Sequence, residues 1–139
     1  MRSTCLFVTS IVSIIAWTSS PLSSRLPAAE GRFDQALDAR VYDVEVPHDP
    51  ALSDWPLTVS MWVRMLDASG YSVFLASETK AAATHWELFA QQGRLMLYAP
   101  GMKPDHVRTQ ADLSDGRWHF VAASLEAERV RIAVDGKLV

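Results

Sequence analysis

Acidic side chains at alternate positions of a strand share one face of a sheet, where two carboxylates can act as general acid and general base. Hydrolysis of a glycosidic bond needs such a pair at a fixed separation across the bond. Asp43 and Glu45 have this spacing in a strand-like run, but no third acidic partner accompanies them. Glu126 and Glu128 have the same spacing and fall in a predicted turn. The pattern favours solvated acidic side chains, and we predict that the chain is not an enzyme.

The histidines and the single cysteine give no metal site. No two of the four histidines are spaced so that one helix or strand would bring both to a metal ion. They are His48, His85, His106 and His119. His119 lies between two aromatic residues, and we interpret it as a structural residue with a hydrogen-bonded ring. No catalytic residue and no cofactor is assigned, and the metal content stays unknown.

One cluster of side chains has the chemistry of a binding site. Predicted strands at 72–78, 85–91 and 94–99 form an antiparallel meander, so the loop at 79–84 and the loop from residue 100 emerge at the same end of the sheet. Loops at the rim of a rigid scaffold are frequent binding positions. This placement gathers four candidate ligand-binding residues at one rim: Lys80, His85, Tyr98 and Lys103.

An aromatic ring beside cationic donors suits a sugar that carries an acidic group. The four rim residues therefore predict an anionic glycan as ligand. The alternative is that the lysines are simply solvated. Trp86 lies beside the cluster but shares a strand face with Leu88, which places it in the predicted core.

The N-terminal residues have the pattern of a secretory signal peptide. Arg2 supplies a positive charge, residues 5–17 carry no charge, and small residues stand at Ala28 and Ala29. Thirteen residues reach about 20 Å as a helix, against about 30 Å of hydrocarbon, so we expect no stable membrane span after cleavage. We predict a signal peptide at 1–29 and a secreted, cell-surface or periplasmic domain at 30–139. The alternative is an uncleaved N-terminal anchor.

Charge and cysteine content limit the partners and the chemistry of the mature domain. Removal of Arg2 and Arg25 with the leader leaves 11 basic against 16 acidic residues, a net charge of −5. Nucleic acids and anionic membranes need a concentrated basic surface, so both are excluded as partners. Cys5 is the only cysteine and lies in the leader, which excludes a disulfide framework.

Short alternating runs separated by turn residues predict an all-β, antiparallel domain. The clearest is Leu57–Arg64, in which every second residue is apolar; a weaker strand is expected at Val41–Val46. Gln92-Gly93 and Asp135-Gly136 are two-residue hairpin signals. Three residues follow Gly136 in the sequence. We therefore expect the fold to lack its C-terminal strands and residues 29–139 alone to be only marginally stable.

Four runs in chain order carry a resemblance to a known family. They are LTVSMWVR at Leu57–Arg64, GRL at Gly93–Leu95, DGRWHFVA at Asp115–Ala122 and VRIAVDGKLV at Val130–Val139, preceded by GRFDQALD at Gly31–Asp38. This pattern resembles the laminin-G-like members of the concanavalin A-like lectin/glucanase superfamily. The resemblance implies a jelly-roll β-sandwich that binds glycans or extracellular proteins. It also makes calcium on the rim loops possible, although no Asp or Asn spacing here allows that site to be carried over.

Two functional hypotheses follow from the resemblance and the residues together. The first is an extracellular, non-catalytic recognition module for a glycan or a protein. The second is a structural or truncated accessory piece of a larger secreted protein or carbohydrate-active enzyme. The hydrolases of the superfamily carry a Glu-x-Asp-x-x-Glu strand, and no such run occurs in this sequence.

Overall fold

The computed structural model describes residues 10–13, 28–47, 49–52 and 54–139. These residues form eleven β-strands and one 3-10 turn at Pro50–Leu52, and they include no helix that is long and apolar enough to cross a membrane. The strands are β1 Ser10–Ser13, β2 Ala28–Gly31, β3 Asp34–Asp38, β4 Leu57–Met65, β5 Tyr71–Ser77, β6 Trp86–Gln91, β7 Arg94–Tyr98, β8 His106–Asp112, β9 Trp118–Glu126, β10 Arg129–Val134 and β11 Lys137–Leu138.

The strands form two antiparallel sheets. The seven-stranded sheet has the order β11-β10-β9-β4-β1-β3-β2, and the four-stranded sheet has the order β5-β6-β7-β8. All recorded strand pairs are antiparallel. The predicted all-β antiparallel sandwich is confirmed, and β5, β6 and β7 form the predicted meander.

The main core lies between the two sheets, where the inward apolar side chains of both sheets meet. A second, smaller buried cluster of Val73, Phe89 and Met96 lies on the outer face of the four-stranded sheet. In β4, Met61, Val63 and Met65 are buried, whereas the residues between them are half-buried. β9 repeats this alternation and pairs with β4 along eight residues. From the smaller sheet, Leu88 of β6 and Leu97 of β7 are fully buried against them. The period of two predicted from the sequence is what places these side chains inside.

Two tight turns fix the hairpin registers. Gln92 and Gly93 both have positive φ, 52° and 78°, and the flanking residues Gln91 and Arg94 pair directly. Asp135 and Gly136 repeat this geometry with φ of 51° and 80°. Positive φ at both central residues matches the twist of the flanking strands, which is why these dipeptides signal hairpins. Both predicted hairpins are therefore present.

The strand predicted at Val41–Val46 is wrong. The backbone turns directly after β3, where the amides of Val41 and Tyr42 both donate to the carbonyl of Asp38. Val44 and Val46 are exposed, and residues 42–47 have no regular secondary structure. Alternation alone does not make a strand, because each strand needs a neighbour for its backbone hydrogen bonds.

The segment predicted as a signal peptide contains β1. Ser10–Ser13 pairs with Trp62–Met65 of β4 on one side and with Leu37 and Asp38 of β3 on the other. The sequence pattern did not favour a strand here, because the run does not alternate. The last two residues of the predicted leader, Ala28 and Ala29, begin β2. Its other residues, 1–9 and 14–27, lie outside the described residues. Cleavage of the leader and the lack of further C-terminal strands stay predictions.

Candidate functional site

The candidate site is the outer face of the four-stranded sheet, the surface of β5–β8 that points away from the core. Strand register arranges its side chains in rows that cross the sheet. One row is polar, the central row is largely apolar, and the third joins a carboxylate to two rings. From the first row to the third they are Tyr71, Gln91 and Arg94; Val73, Phe89, Met96 and Arg108; and Ala76, Glu87, Tyr98 and His106.

An aromatic pair dominates the third row. The rings of Tyr98 and His106 are stacked, with centroids 4.4 Å apart and planes inclined by 29°. The two residues face each other across β7 and β8, which brings their side chains together. The His106 side chain is 54% exposed, and its Nδ1 lies 3.0 Å from Oδ1 of Asp105. One side of the imidazole is thus covered by Tyr98, while much of the ring is available to a ligand.

The third row of this face includes a buried carboxylate, that of Glu87. Glu87 is 1% exposed, and its oxygens contact the hydroxyl of Tyr71, Nε2 of His85 at 3.3 Å and Nζ of Lys80 at 3.3 Å. The other ring nitrogen of His85 lies 2.7 Å from the carbonyl oxygen of Ser77. Burial, and then the hydrogen bond with Glu87, raise the pKa of Tyr71 far above its usual range. The phenol therefore stays protonated and donates to Glu87.

The structure brings three of the four predicted rim residues together. Lys80 and His85 meet at Glu87, and the rings of His85 and Tyr98 lie 5.7 Å apart. His85 is only 2% exposed, so it supports the face from below and does not reach a ligand. Lys103 is exposed in the loop between β7 and β8, and it makes no hydrogen bond or ion pair with the other three within the described residues.

The tryptophan beside the rim is a core residue, as predicted. Trp86 is 3% exposed and belongs to the main hydrophobic cluster. Its indole Nε1 donates to the carbonyl of Leu52 at 3.0 Å. This bond satisfies the polar group that the buried ring carries with it.

On the same outer face, near the first row, a shallow cleft has a volume of about 160 Å³. It is lined by Gln91, Gln92, Arg94 and Arg108. Arg94 donates from Nη1 to the carbonyl of Gln110. Arg108 is exposed and has no recorded ion pair within the described part of the chain. The cleft therefore presents amide groups and guanidinium edges, which are donors for oxyanions.

His106 and Arg108 were not predicted as binding residues, because no strand was predicted at the position of β8. The inward positions of that strand are Val107, Thr109 and Ala111, which are too small or too polar to stand out as an apolar run. Thr109 is buried, with its hydroxyl bonded to the carbonyl of Leu95 at 3.0 Å. The signal that was available is the period of two through Val107, Thr109, Ala111 and Leu113.

His119 is part of a separate hydrogen-bonded group on the larger sheet. Its Nδ1 lies 2.8 Å from Oδ2 of Asp135, and its Nε2 lies 3.0 Å from Oδ1 of Asp115. Burial opposes protonation of His119, but the two carboxylates outweigh it and raise its pKa. The backbone amide of Arg117 and the imidazole hold the pKa of Asp115 far below its usual range. The prediction of a structural, hydrogen-bonded ring is confirmed.

The resemblance makes calcium on the rim loops possible. In the part of the chain that the structure describes, no three His, Cys, Asp or Glu side chains converge in a way that would hold a metal ion. The carboxylates of Asp112 and Asp115 accept bonds from Ser114 and Arg117 within their own turns.

A laminin G family model, described as concanavalin A-like lectin/glucanases superfamily, matches residues 39–139. The chain belongs to this superfamily. Among solved structures, mouse laminin α1 chain domains LG4-5 match with 26% sequence identity, over 62% of this chain and 23% of that chain, with a TM-score of 0.47. This chain thus spans about a quarter of that structure's length. The family match confirms the resemblance inferred from the four sequence runs.

Proposed function

We propose that this laminin-G-like chain is an extracellular, non-catalytic recognition module that binds an acidic glycan on the outer face of its four-stranded sheet. The stacked Tyr98–His106 pair, standing on the same face as Arg108, is the observation that carries the proposal. An aromatic ring contacts the C–H face of a sugar, and a guanidinium pairs with a carboxylate or sulfate. Laminin-G-like domains are extracellular binding modules, which supports the same class of function.

The spacing of the face suits a ligand of two or three sugar units. Residues two apart on a strand are separated by about 7 Å, so Arg108 lies one such step from His106. Arg94 lies two steps, about 13 Å, from Tyr98 along β7. A sugar ring packed on the His106 imidazole would therefore lie about 7 Å from Arg108, with Arg94 farther along the face. Acidic groups on successive sugar units could pair with these two arginines.

Two cationic side chains of this face, Lys80 and Arg108, favour an anion, whereas Asp105 beside His106 is acidic. Lys80 is bound to Glu87, which is buried, yet its side chain remains 67% exposed. Arg108 has no carboxylate partner recorded among the described residues, so its guanidinium is free to pair with a ligand. Exposed pairs of this kind are screened by salt, so we expect the affinity to fall as ionic strength rises.

The arrangement of carboxylates supports a binding role over hydrolysis. Glu87 is the buried carboxylate on this face, and it is covered by Tyr71, Lys80 and His85. Hydrolysis would need a second carboxylate across the bond. Asp43 and Glu45 do not share a strand, because residues 42–47 are irregular.

Calorimetric titration tests the proposal, with a sulfated, uronate-containing tetrasaccharide and its desulfated, carboxyl-reduced counterpart as probes. We expect binding of the acidic probe only, and at least a tenfold loss in Tyr98→Ala and in Arg108→Gln. Arg131→Gln is the matched control, because Arg131 is an exposed arginine of the other sheet that pairs with Glu126. Equal affinities for all variants would reject the site, and no binding of either probe would favour a structural or accessory role.

A further inference from the structure

The outer face of the seven-stranded sheet carries a second group of side chains, which we call the aromatic–arginine patch. It combines four rings with two arginines and lies on the opposite side of the sandwich from the proposed glycan site. Its members are Arg32, Phe33, Trp62, Arg64, Trp118 and Phe120.

The rings of the patch are held by strand register and by one turn. Trp62 of β4 and Phe120 of β9 are direct cross-strand partners, with ring centroids 5.4 Å apart. Phe33, in the turn between β2 and β3, meets Trp62 edge to face at 5.8 Å and 80°. The end of the patch that Phe33 forms is exposed to solvent, because this residue is 61% exposed. The patch therefore ends in an exposed apolar ring.

Both arginines lie against rings. Cζ of Arg32 is 5.2 Å from the centroid of Phe33 and 5.1 Å from that of Trp62. Cζ of Arg64 is 5.6 Å from the ring of Trp118, its cross-strand partner. Such cation–π contacts hold a guanidinium in place but use its flat face, which leaves the N–H groups at its edge for other partners.

Among the described residues, no hydrogen bond or ion pair uses the side-chain donors of Arg32 or Arg64. Nε of Arg64 is buried and has no hydrogen-bond partner in the structure. Because Nε is covered, a partner would accept hydrogen bonds from the Nη groups of Arg64, which are not buried. No ion pair of Arg32 or Arg64 is recorded within the described ranges, whereas Arg40, Arg117 and Arg131 all pair with carboxylates.

We propose that the aromatic–arginine patch is a docking surface for an acidic segment of a partner protein. Carboxylates of that segment would accept hydrogen bonds from the guanidinium edges of Arg32 and Arg64, and an apolar side chain would pack against Phe33. Arginine and aromatic residues are the types enriched in the buried centres of protein interfaces. A sugar fits less well, because the guanidinium groups occupy the ring faces of Trp62 and Trp118 on which it would stack.

Selection from a displayed library of random 12-residue peptides on the full chain tests the patch. We expect enrichment of peptides that contain Asp or Glu next to an apolar residue. Their synthetic copies should bind at least tenfold more weakly to Arg32→Gln and to Arg64→Gln, and should shift the indole N–H resonances of Trp62 and Trp118 on binding to the parent. Arg131→Gln is the matched control, since Arg131 is an exposed arginine of the same sheet that already has an acidic partner.

The variants also separate docking from folding. Arg64→Lys keeps the charge but loses the planar fork, so we expect weaker peptide binding with an unchanged urea midpoint. The proposal is overturned if the enriched peptides lack acidic residues or bind all variants equally. It is also overturned if the acidic tetrasaccharide shifts the Trp118 indole resonance, or if Arg64→Gln abolishes a self-association of the parent chain.

Discussion

At the scale of single residues, His119 shows how one imidazole can connect two turns. It lies between Asp115, in the turn before β9, and Asp135, in the turn after β10. The second oxygen of Asp135 accepts the backbone amide of Phe120 at 2.9 Å. The imidazole, between two carboxylates, therefore links the start of β9 to the end of β10 at the open end of this hairpin.

This group gives the fold a defined pH dependence. The pKa of His119 is raised above its usual 6.5 by Asp135 and Asp115 against the effect of burial, so its contribution is complete below about pH 6.5 and is lost as pH rises through the folded value. The pKa of Asp115 is lowered, so its contribution is lost at acid pH. Urea midpoints should therefore fall from pH 6 towards pH 9 in the parent and stay flatter in His119→Gln. Parallel profiles would contradict this role.

The buried carboxylate of the four-stranded sheet makes a second prediction. Glu87→Ala removes the acceptor for Tyr71 and His85, and His85 is buried, so we expect a loss of about 1–3 kcal/mol in the free energy of unfolding. Glu87→Gln keeps an acceptor oxygen for the phenol and should lose less. Chemical denaturation measures both. A Glu87→Ala variant as stable as the parent would show that water replaces the carboxylate at no cost.

Sequence reasoning at this scale succeeded where a residue's strand was recognised. Trp86 was placed in the core because it alternates with Leu88, and its burial at 3% agrees. Lys80 and Tyr98 were placed near one another by the meander. The burial of His85 was not predicted, because the sequence does not show how far neighbouring side chains cover a residue at the end of a strand.

At the scale of elements, the β6–β7 turn offers a test with a built-in control. Gly93 has φ of +78°, and a Cβ added there would lie 2.6 Å from Oγ of Ser114. Gly136 has nearly the same φ, +80°, but a Cβ there would meet nothing within 4 Å. Gly136→Ala therefore reports backbone strain alone, about 1–2 kcal/mol. Gly93→Ala should lose more.

The difference between the two unfolding free energies measures how closely the turn packs against residue 114. Equal losses would mean that Ser114 moves aside freely. Loss of dispersion in amide resonances for Gly93→Ala, without a change in Gly136→Ala, would add that the register of β6 and β7 depends on this contact.

Strand prediction depended on the strength of alternation and on the presence of a partner. β4 alternates over nine residues, and the predicted strand Leu57–Arg64 ends one residue before it does. β8 was missed because its inward side chains are small or polar. The run at Val41–Val46 alternates but has no neighbouring strand, and this information lies in the tertiary structure.

At the scale of the whole molecule, the pairing of β1 with β3 and β4 makes part of the N-terminal segment a strand of the larger sheet. β1 lies between β3 and β4 and pairs with four residues of β4. A chain of residues 30–139 lacks this strand, which leaves an edge of β4 open, and an open edge invites pairing with another chain. We expect this shortened chain to unfold at a lower temperature and to associate as its concentration rises.

Size-exclusion chromatography and thermal unfolding of 1–139 and 30–139 compare the two chains. A monomeric 30–139 with the same sharp transition would show that β1 contributes nothing to the sheet. Sequencing the N-terminus of exported protein tests the leader prediction separately, and an intact Met1 would contradict cleavage near Ala29.

The proposed binding site for an acidic glycan is the outer face of the four-stranded sheet. Backbone amide resonances, followed while the sulfated, uronate-containing tetrasaccharide is added, test it most directly, because they report which strands meet the ligand. We expect shifts in β6, β7 and β8, centred on Tyr98, His106 and Arg108, that disappear in Arg108→Gln and at high salt. Saturating shifts confined to the seven-stranded sheet, or no shifts at all, would contradict it.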